Sequence, residues 1–289
     1  MNNLTGPSIS EFLNFLVEKK NEASLKSYIS IRNAIDLFSI PFGTITISAG
    51  VPLFRCRIHE ELNRPFTKVT ELTHRQDLFN IKSFGRANEP LQSIFYCSTD
   101  RETALFEISQ IQKANGTLKE EAITYGKWIL KKDITVAHLP LIVDRIGKNP
   151  IADHLHFTFE ELVKKYTTED TKDWRSVIDL FSNEYSREGD GAETDYLISC
   201  AFSIYIYATP GINSETGEKI IMDGIMYPSV KYSEVGMNLA ILPQLIYDGT
   251  VILDSVIYQK MERVKEQTYL ETETNIAHKI DYQNNKIIW

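Results

Sequence analysis

Between Gly85 and Glu107 the chain carries a cation, a phenol and a carboxylate, at Arg86, Tyr96 and Glu107. The planar fork of an arginine bonds two oxygens of an anion together. A tyrosine stacks on a ring or hydrogen-bonds a hydroxyl, and a carboxylate stabilises positive charge as it develops. Each also has a plain structural reading, since an acidic residue on an opening helix is usually solvated or capping. Local signals separate the three. Gly85, Asn88 and Pro90 predict a turn, Ser93 to Cys97 a strand, and a helix opens near Thr99 with Ser98, Thr99 or Asp100 as its cap. Three consecutive pieces of structure can therefore bring the three groups to one cleft.

Upstream, Val51 to Ile58 alternates, which places Leu53, Arg55 and Arg57 on one face of a strand and Phe54, Cys56 and Ile58 on the other. Two arginines on one side suggest a ligand-facing surface, against the alternative of a solvated polar face. Before this strand, residues 8 to 40 read as two helices. Phe12, Leu13, Phe15 and Leu16 stripe the first, and Tyr28, Ile29, Ile31, Ile35, Leu37 and Phe38 the second, with Ser8 or Ser10 as a cap. Apolar stripes of this kind are normally buried, so packing is favoured over partner binding. After the Glu107 helix (Thr103 to Lys113) come strands over Lys127 to Leu130 and Thr135 to Leu139, then a mostly helical stretch from 150 to 207. Strands follow over Asp223 to Tyr227, Asn238 to Leu242 and Val251 to Tyr258, and a polar terminal strand or tail ends the chain.

Composition narrows the classes. With 289 residues, 43% hydrophobic and 24% charged, the chain is long enough for a real core and is neither disordered nor fibrous. A net charge of -8 without a basic cluster argues against direct nucleic acid binding, whereas a small anionic ligand needs only a few arginines. Cys56, Cys97 and Cys200 are odd in number and far apart, so no disulfide framework or CxxC metal site is indicated and a reducing cytoplasm fits. The first residues lack a signal-peptide pattern and no apolar run nears the roughly 20 residues of a membrane span. Secretion by that route and membrane insertion are therefore not expected.

Other motifs are weak. His154 and His156 form an H-x-H pair that on a strand would share a face, yet no third ligand accompanies them, and no metal is expected. There is no H-E-x-x-H, G-x-S-x-G or Walker loop. Tyr227-Pro228-Ser229 alone reads as a turn.

Order and spacing make these pieces specific together. Gly85-Arg86-Ala87-Asn88, Phe95-Tyr96, Thr103-Ala104-Leu105-x-Glu107, Gly224-x-x-Tyr227-Pro228-Ser229 and Gly236-x-Asn238-Leu239-Ala240 resemble the RES domain family, named for an arginine, a glutamate and a serine. Phe54-Arg55-x-Arg57 resembles its first strand, where a basic residue contacts the ligand. Ala87 stands where the family commonly has an aromatic residue. The resemblance covers roughly residues 50 to 260 and implies an α+β fold with an ADP-ribosyltransferase-like mixed β core. Around that core we expect an N-terminal helical appendage (1–48), a RES domain (49–260) with a helical insertion (about 150–207), and a C-terminal tail (261–289).

The same resemblance implies an NAD-degrading toxin of toxin-antitoxin type, with NAD a consumed substrate and no permanently bound cofactor. Its partners would be NAD, an Xre-type antitoxin and, in one arrangement, a second copy of the chain. Cleavage of the nicotinamide–ribose bond passes through an oxocarbenium ion, which assigns Glu107 to charge stabilisation. Arg86 with Arg55 or Arg57 would hold the pyrophosphate, and Tyr96 would meet the nicotinamide ring or the ribose. Ser229 would bond a ribose hydroxyl or the carboxamide, and Asn238 joins the ligand contacts. These implications place Arg86, Tyr96, Glu107 and Ser229 around one pocket. Alternatives from other classes are a protein ADP-ribosyltransferase and a nucleotide sensor that binds without turnover.

Overall fold

The computed structural model describes residues 8–38, 40, 42–62, 64–111, 118–139, 147, 150–164, 168–187, 189, 192, 194–212, 216–229, 236–265 and 268–289. In chain order its first elements are α1 (Ile9–Glu22), α2 (Leu25–Phe38), β1 (Gly43–Ile47), β2 (Pro52–Ile58), β3 (Phe95–Ser98), α3 (Arg101–Ile108), β4 (Glu120–Leu130) and β5 (Ile134–His138). Helices α4 (Pro150–Val163), α5 (Thr168–Ser186) and α6 (Leu197–Ala208) follow, then the short strands β6 (Gly211–Ile212) and β7 (Lys219–Ile220). The chain continues through β8 (Gly224–Pro228), β9 (Met237–Ile241), α7 (Gln244–Tyr247), β10 (Val251–Lys265), β11 (Thr268–Ile276), β12 (Lys279–Asp281) and β13 (Lys286–Ile288). Helices combine with both parallel and antiparallel strand pairs, so the fold is α+β. Among the described residues no helix is long and apolar enough to cross a membrane.

The chain divides into two compact units, the first made of residues 1–45, 78–92 and 135–230 and the second of 46–77, 93–134 and 231–289. In the first, α1 starts at a capping box in which Ser8 Oγ accepts from Glu11 N and the Glu11 carboxylate accepts from Ser8 N, an arrangement that satisfies two orphan amides at once. The apolar stripes of α1 and α2 are buried, as Phe12, Leu16, Tyr28, Ile31 and Ile35 show. Their partners are α5 and α6, to which Lys20 adds an ion pair with the buried Glu184 at 2.5 Å. Helix α6 is buried on every side from Leu197 to Ile206, Ser199 and Ser203 included, because it lies inside the unit. Strands β5 and β8 pair in parallel, Ala137 opposite Ile225, with β1 on the other side of β5. His154 and His156 stand on α4, not on a strand. Two residues along a helix amount to about 200° of rotation, so the imidazoles point apart.

The second unit is built on an antiparallel sheet in the order β9-β3-β2-β4-β10-β11. One face carries α3, whose Ala104 and Leu105 pack with Cys56, Ile123, Tyr125 and Met261. Asp100 caps α3 by accepting from Thr103 N and Thr103 Oγ1, both at 2.7 Å, a contribution of about 1 kcal/mol. The polar C-terminal stretch is ordered strand structure. β11 is the sheet's edge, which explains its Thr and Glu content. Trp289 Nε1 donates to the Phe66 carbonyl at 2.8 Å and fastens the end of the chain to the same unit.

Candidate active site

Glu107 projects from α3 and accepts a hydrogen bond from Asn238 Nδ2 at 2.6 Å. Asn238 lies on β9 opposite Ser98 of β3, and Ser98 Oγ donates to Asn238 Oδ1 at 2.7 Å. This chain fixes the amide's orientation: with Oδ1 occupied by the serine, Nδ2 faces the carboxylate. Ser98 and Asn238 are 3% and 6% exposed, while Glu107 and Tyr96 are partly open. Tyr96 is two residues before Ser98 on the same strand and therefore on the same face. The unit thus brings Glu107, Asn238 and Tyr96 together on the face that also carries α3.

A glycine makes this placement possible. A Cβ on Gly236 would stand 1.6 Å from Thr103 Oγ1 and 2.6 Å from Thr103 Cβ, so only glycine lets the approach to β9 pass the first turn of α3. The neighbouring backbone bond from Thr99 N to the Met237 carbonyl, at 2.9 Å, closes the same junction.

Arg55 and Arg57 go elsewhere. In the strand register Phe54 is directly opposite Ser98, so Phe54 shares the Glu107 face and its neighbours Arg55 and Arg57 point to the other. The expected alternation of β2 is present, but it separates these arginines from Glu107 and does not join them in one pocket. Arg55 lies over the Phe95 ring at 5.2 Å and donates to the Tyr96 carbonyl. Arg57 lies over Phe66 at 5.7 Å and donates to the Glu71 carbonyl at 2.6 Å.

Arg86 and Ser229 belong to the first unit and are described within it. Arg86 Nε donates to the Tyr185 carbonyl and Nη2 to the Arg187 carbonyl, both at 2.9 Å, and the guanidinium lies 4.8 Å from the Tyr196 ring centroid. Its fork is thus engaged at the C-terminal end of α5, where orphan carbonyls and the helix dipole favour a cation. The expected grip on pyrophosphate would have to displace these bonds. Tyr185 also links this arginine to the serine block, because its ring stands 5.1 Å from that of Tyr227. Ser229 follows Pro228 at the end of β8 and is fully buried. Ala87, next to Arg86, is fully buried as well.

A family model describing the RES domain matches residues 52–257, well over half of the chain. The chain belongs to the RES domain family. Comparison with curated proteins gave no match. Within this RES chain, the blocks around Arg86, Tyr96, Glu107, Ser229 and Asn238 are all inside the matched segment. Three contributors escaped sequence reasoning. Ser98 had a usable signal, since alternation puts it beside Tyr96. Tyr185 and Tyr196 had none, because only the tertiary fold of the RES chain carries α5 and the start of α6 to Arg86.

Proposed function

We propose that this RES protein cleaves the bond between nicotinamide and ribose in NAD and passes the ADP-ribosyl group to water or phosphate. The observation that carries the reading is the Glu107 carboxylate, held by Asn238 and partly exposed on the same sheet face as Tyr96. When the bond breaks, its electron pair stays with the nicotinamide nitrogen, so the pyridinium leaves as neutral nicotinamide and needs no general acid. The ribosyl C1″ becomes oxocarbenium-like, and the Glu107 carboxylate stabilises its positive charge. An oxygen of water or phosphate then bonds C1″, with a proton released when water is the acceptor. Tyr96 supplies a ring for nicotinamide or a hydroxyl for the ribose. Within the first unit, Arg86 would have to release at least one of its two carbonyls before its fork could bond an oxyanion.

Unrestrained loss of NAD would poison the cell that makes the protein. The family resemblance accordingly supports a toxin silenced by an Xre-type antitoxin. Incubation of purified protein with NAD, with and without phosphate, tests the reaction. Free ADP-ribose marks hydrolysis, the 1″-phosphate marks phosphorolysis, and labelled protein in a lysate marks transfer to protein. Glu107→Gln should lower kcat by roughly 100- to 1,000-fold, the scale of one lost transition-state electrostatic contact, with little change in KM. Cleavage of NAD by Glu107→Gln at the parent rate would end this assignment.

A further inference from the structure

Helices α1 and α2 precede residue 52 and so lie outside the segment matched to the RES domain, yet they reach the Arg86 block. The carboxylate of Glu89, three residues after Arg86, accepts from the Tyr28 hydroxyl at 2.7 Å and from Arg32 Nη1 at 3.1 Å, both on α2. Bonds to a charged acceptor are stronger than neutral ones. Tyr28 is 3% exposed, and its ring stands 4.5 Å from that of Phe84, two residues before Arg86. Burial, the largest cause, pushes the Tyr28 phenol above its ordinary pKa, so it stays protonated and remains the donor. Helix α2 therefore grips the turn on both sides of the arginine.

The turn needs such a grip. Leu91, whose amide donates to the Ile81 carbonyl at 2.8 Å, sits at φ 64°. That left-handed conformation is costly for a bulky side chain and persists only where the surroundings hold it. Within the turn, Gly85 N donates to the Asn88 carbonyl at 2.9 Å, and from α6 Ser203 Oγ donates to the Arg86 carbonyl at 3.2 Å. Helix α1 holds what faces the arginine. Its Lys20 pairs with Glu184, which also accepts from Arg187 Nε at 3.0 Å, and the carbonyls of Tyr185 and Arg187 are the ones that fill the Arg86 fork.

Apolar packing explains why α1 and α2 are attached, but not why polar side chains of α2 close on one carboxylate beside Arg86. We propose that Tyr28 and Arg32 are positioning residues for Arg86: acting through Glu89, they fix the turn from which the arginine meets the anionic part of NAD. This rests on the reading of NAD as the substrate. Exchange of a carbonyl for an oxyanion moves the guanidinium alone, so the backbone beneath it has to stay in place while the side chain changes partner. A turn ordered in advance spares the ligand that ordering cost. The effect falls on binding, because an arginine that grips the anionic part of NAD acts away from the bond that breaks.

Steady-state NAD cleavage by the full chain, with hydrogen exchange of the Gly85 and Leu91 amides, tests the proposal. Tyr28→Phe keeps the ring against Phe84 and loses only the hydroxyl. It should raise KM by roughly three- to tenfold, part of what a hydrogen bond to a charged group is worth, with kcat nearly unchanged and both amides exchanging faster. Glu89→Gln should do the same, and covers the case in which Tyr28→Phe does not fold. Arg86→Lys should raise KM on its own, and adding Tyr28→Phe to it should leave KM where Arg86→Lys alone puts it, which a general loss of stability would not do. Where Arg86→Lys does not fold, the exchange rates decide: parent rates in Tyr28→Phe and Glu89→Gln overturn the proposal. So does a parent KM in both variants while Arg86→Lys raises it, a result that leaves the NAD reading standing. A parent KM in Arg86→Lys removes Arg86 from that reading, and a parent protein that leaves NAD intact ends the reading altogether; either result takes the positioning role down with it.

Discussion

Glu107 owes its orientation to a residue that does not touch it. Ser98 gives its proton to Asn238 Oδ1, and this leaves the Asn238 NH2 for the carboxylate. In Ser98→Ala the amide is free to rotate and present oxygen to Glu107, a repulsive arrangement. We expect kcat for NAD cleavage to fall roughly tenfold, the scale of about 1.4 kcal/mol, with KM nearly unchanged and the melting temperature within a few degrees of the parent. Ser98→Thr keeps the hydroxyl and should restore most of the rate. Equal turnover by the Ala, Thr and parent proteins would remove Ser98 from the site. Sequence reasoning put Arg86 on the pyrophosphate together with Arg55 or Arg57; Arg86 has its fork filled by two carbonyls, whereas Arg55 Nε is buried without a partner.

Among the elements, the decisive contact is between the start of β9 and the first turn of α3. Asp100 caps α3 through Thr103, and Gly236 passes so close to Thr103 that any Cβ collides with it. Gly236→Ala must therefore push β9 away from α3 and carry Asn238 off Glu107. The expected result is a lower melting temperature together with loss of NAD cleavage out of proportion to the loss of folded protein at the assay temperature. An alanine variant as stable and as active as the parent would show that the junction has slack. The strand β2 acts differently, since its alternation sorts Cys56 toward the α3 core and Arg55 to the opposite face.

For the whole molecule, pH tests how tightly the first unit is packed. His138 is buried at the end of β5, its Nε2 over Gly43 where a Cβ would come within 2.3 Å. Burial, with the neighbouring His154 charge second, lowers its pKa from 6.5 to about 4. Between those values the unfolded chain binds the proton more strongly than the folded one, so folding stability declines as pH falls from 6.5 toward 4. Above 6.5 the contribution is fully present; below 4 the loss is complete. Its size is on the order of 3 kcal/mol. Urea midpoints measured from pH 7.5 to 4 should fall more steeply for the parent than for His138→Leu. Parallel curves would mean that another group governs the acid limb.

The sequence by itself determined the elements, because their signals are local: apolar stripes at helical spacing in α1 and α2, alternation in β2, and a cap before α3. It also determined membership of the RES family, through motifs whose order and spacing are written in the chain. The orientation of H-x-H was not legible, since the same residues read as strand until α4 forms. The sides of the sheet were decided by tertiary structure alone. Register between β2, β3 and β9 put Glu107 with Asn238 and turned Arg55 away, and α5 reached back to fill the fork of Arg86. Such pairings join residues far apart in the chain, where no local periodicity can encode which face meets which partner.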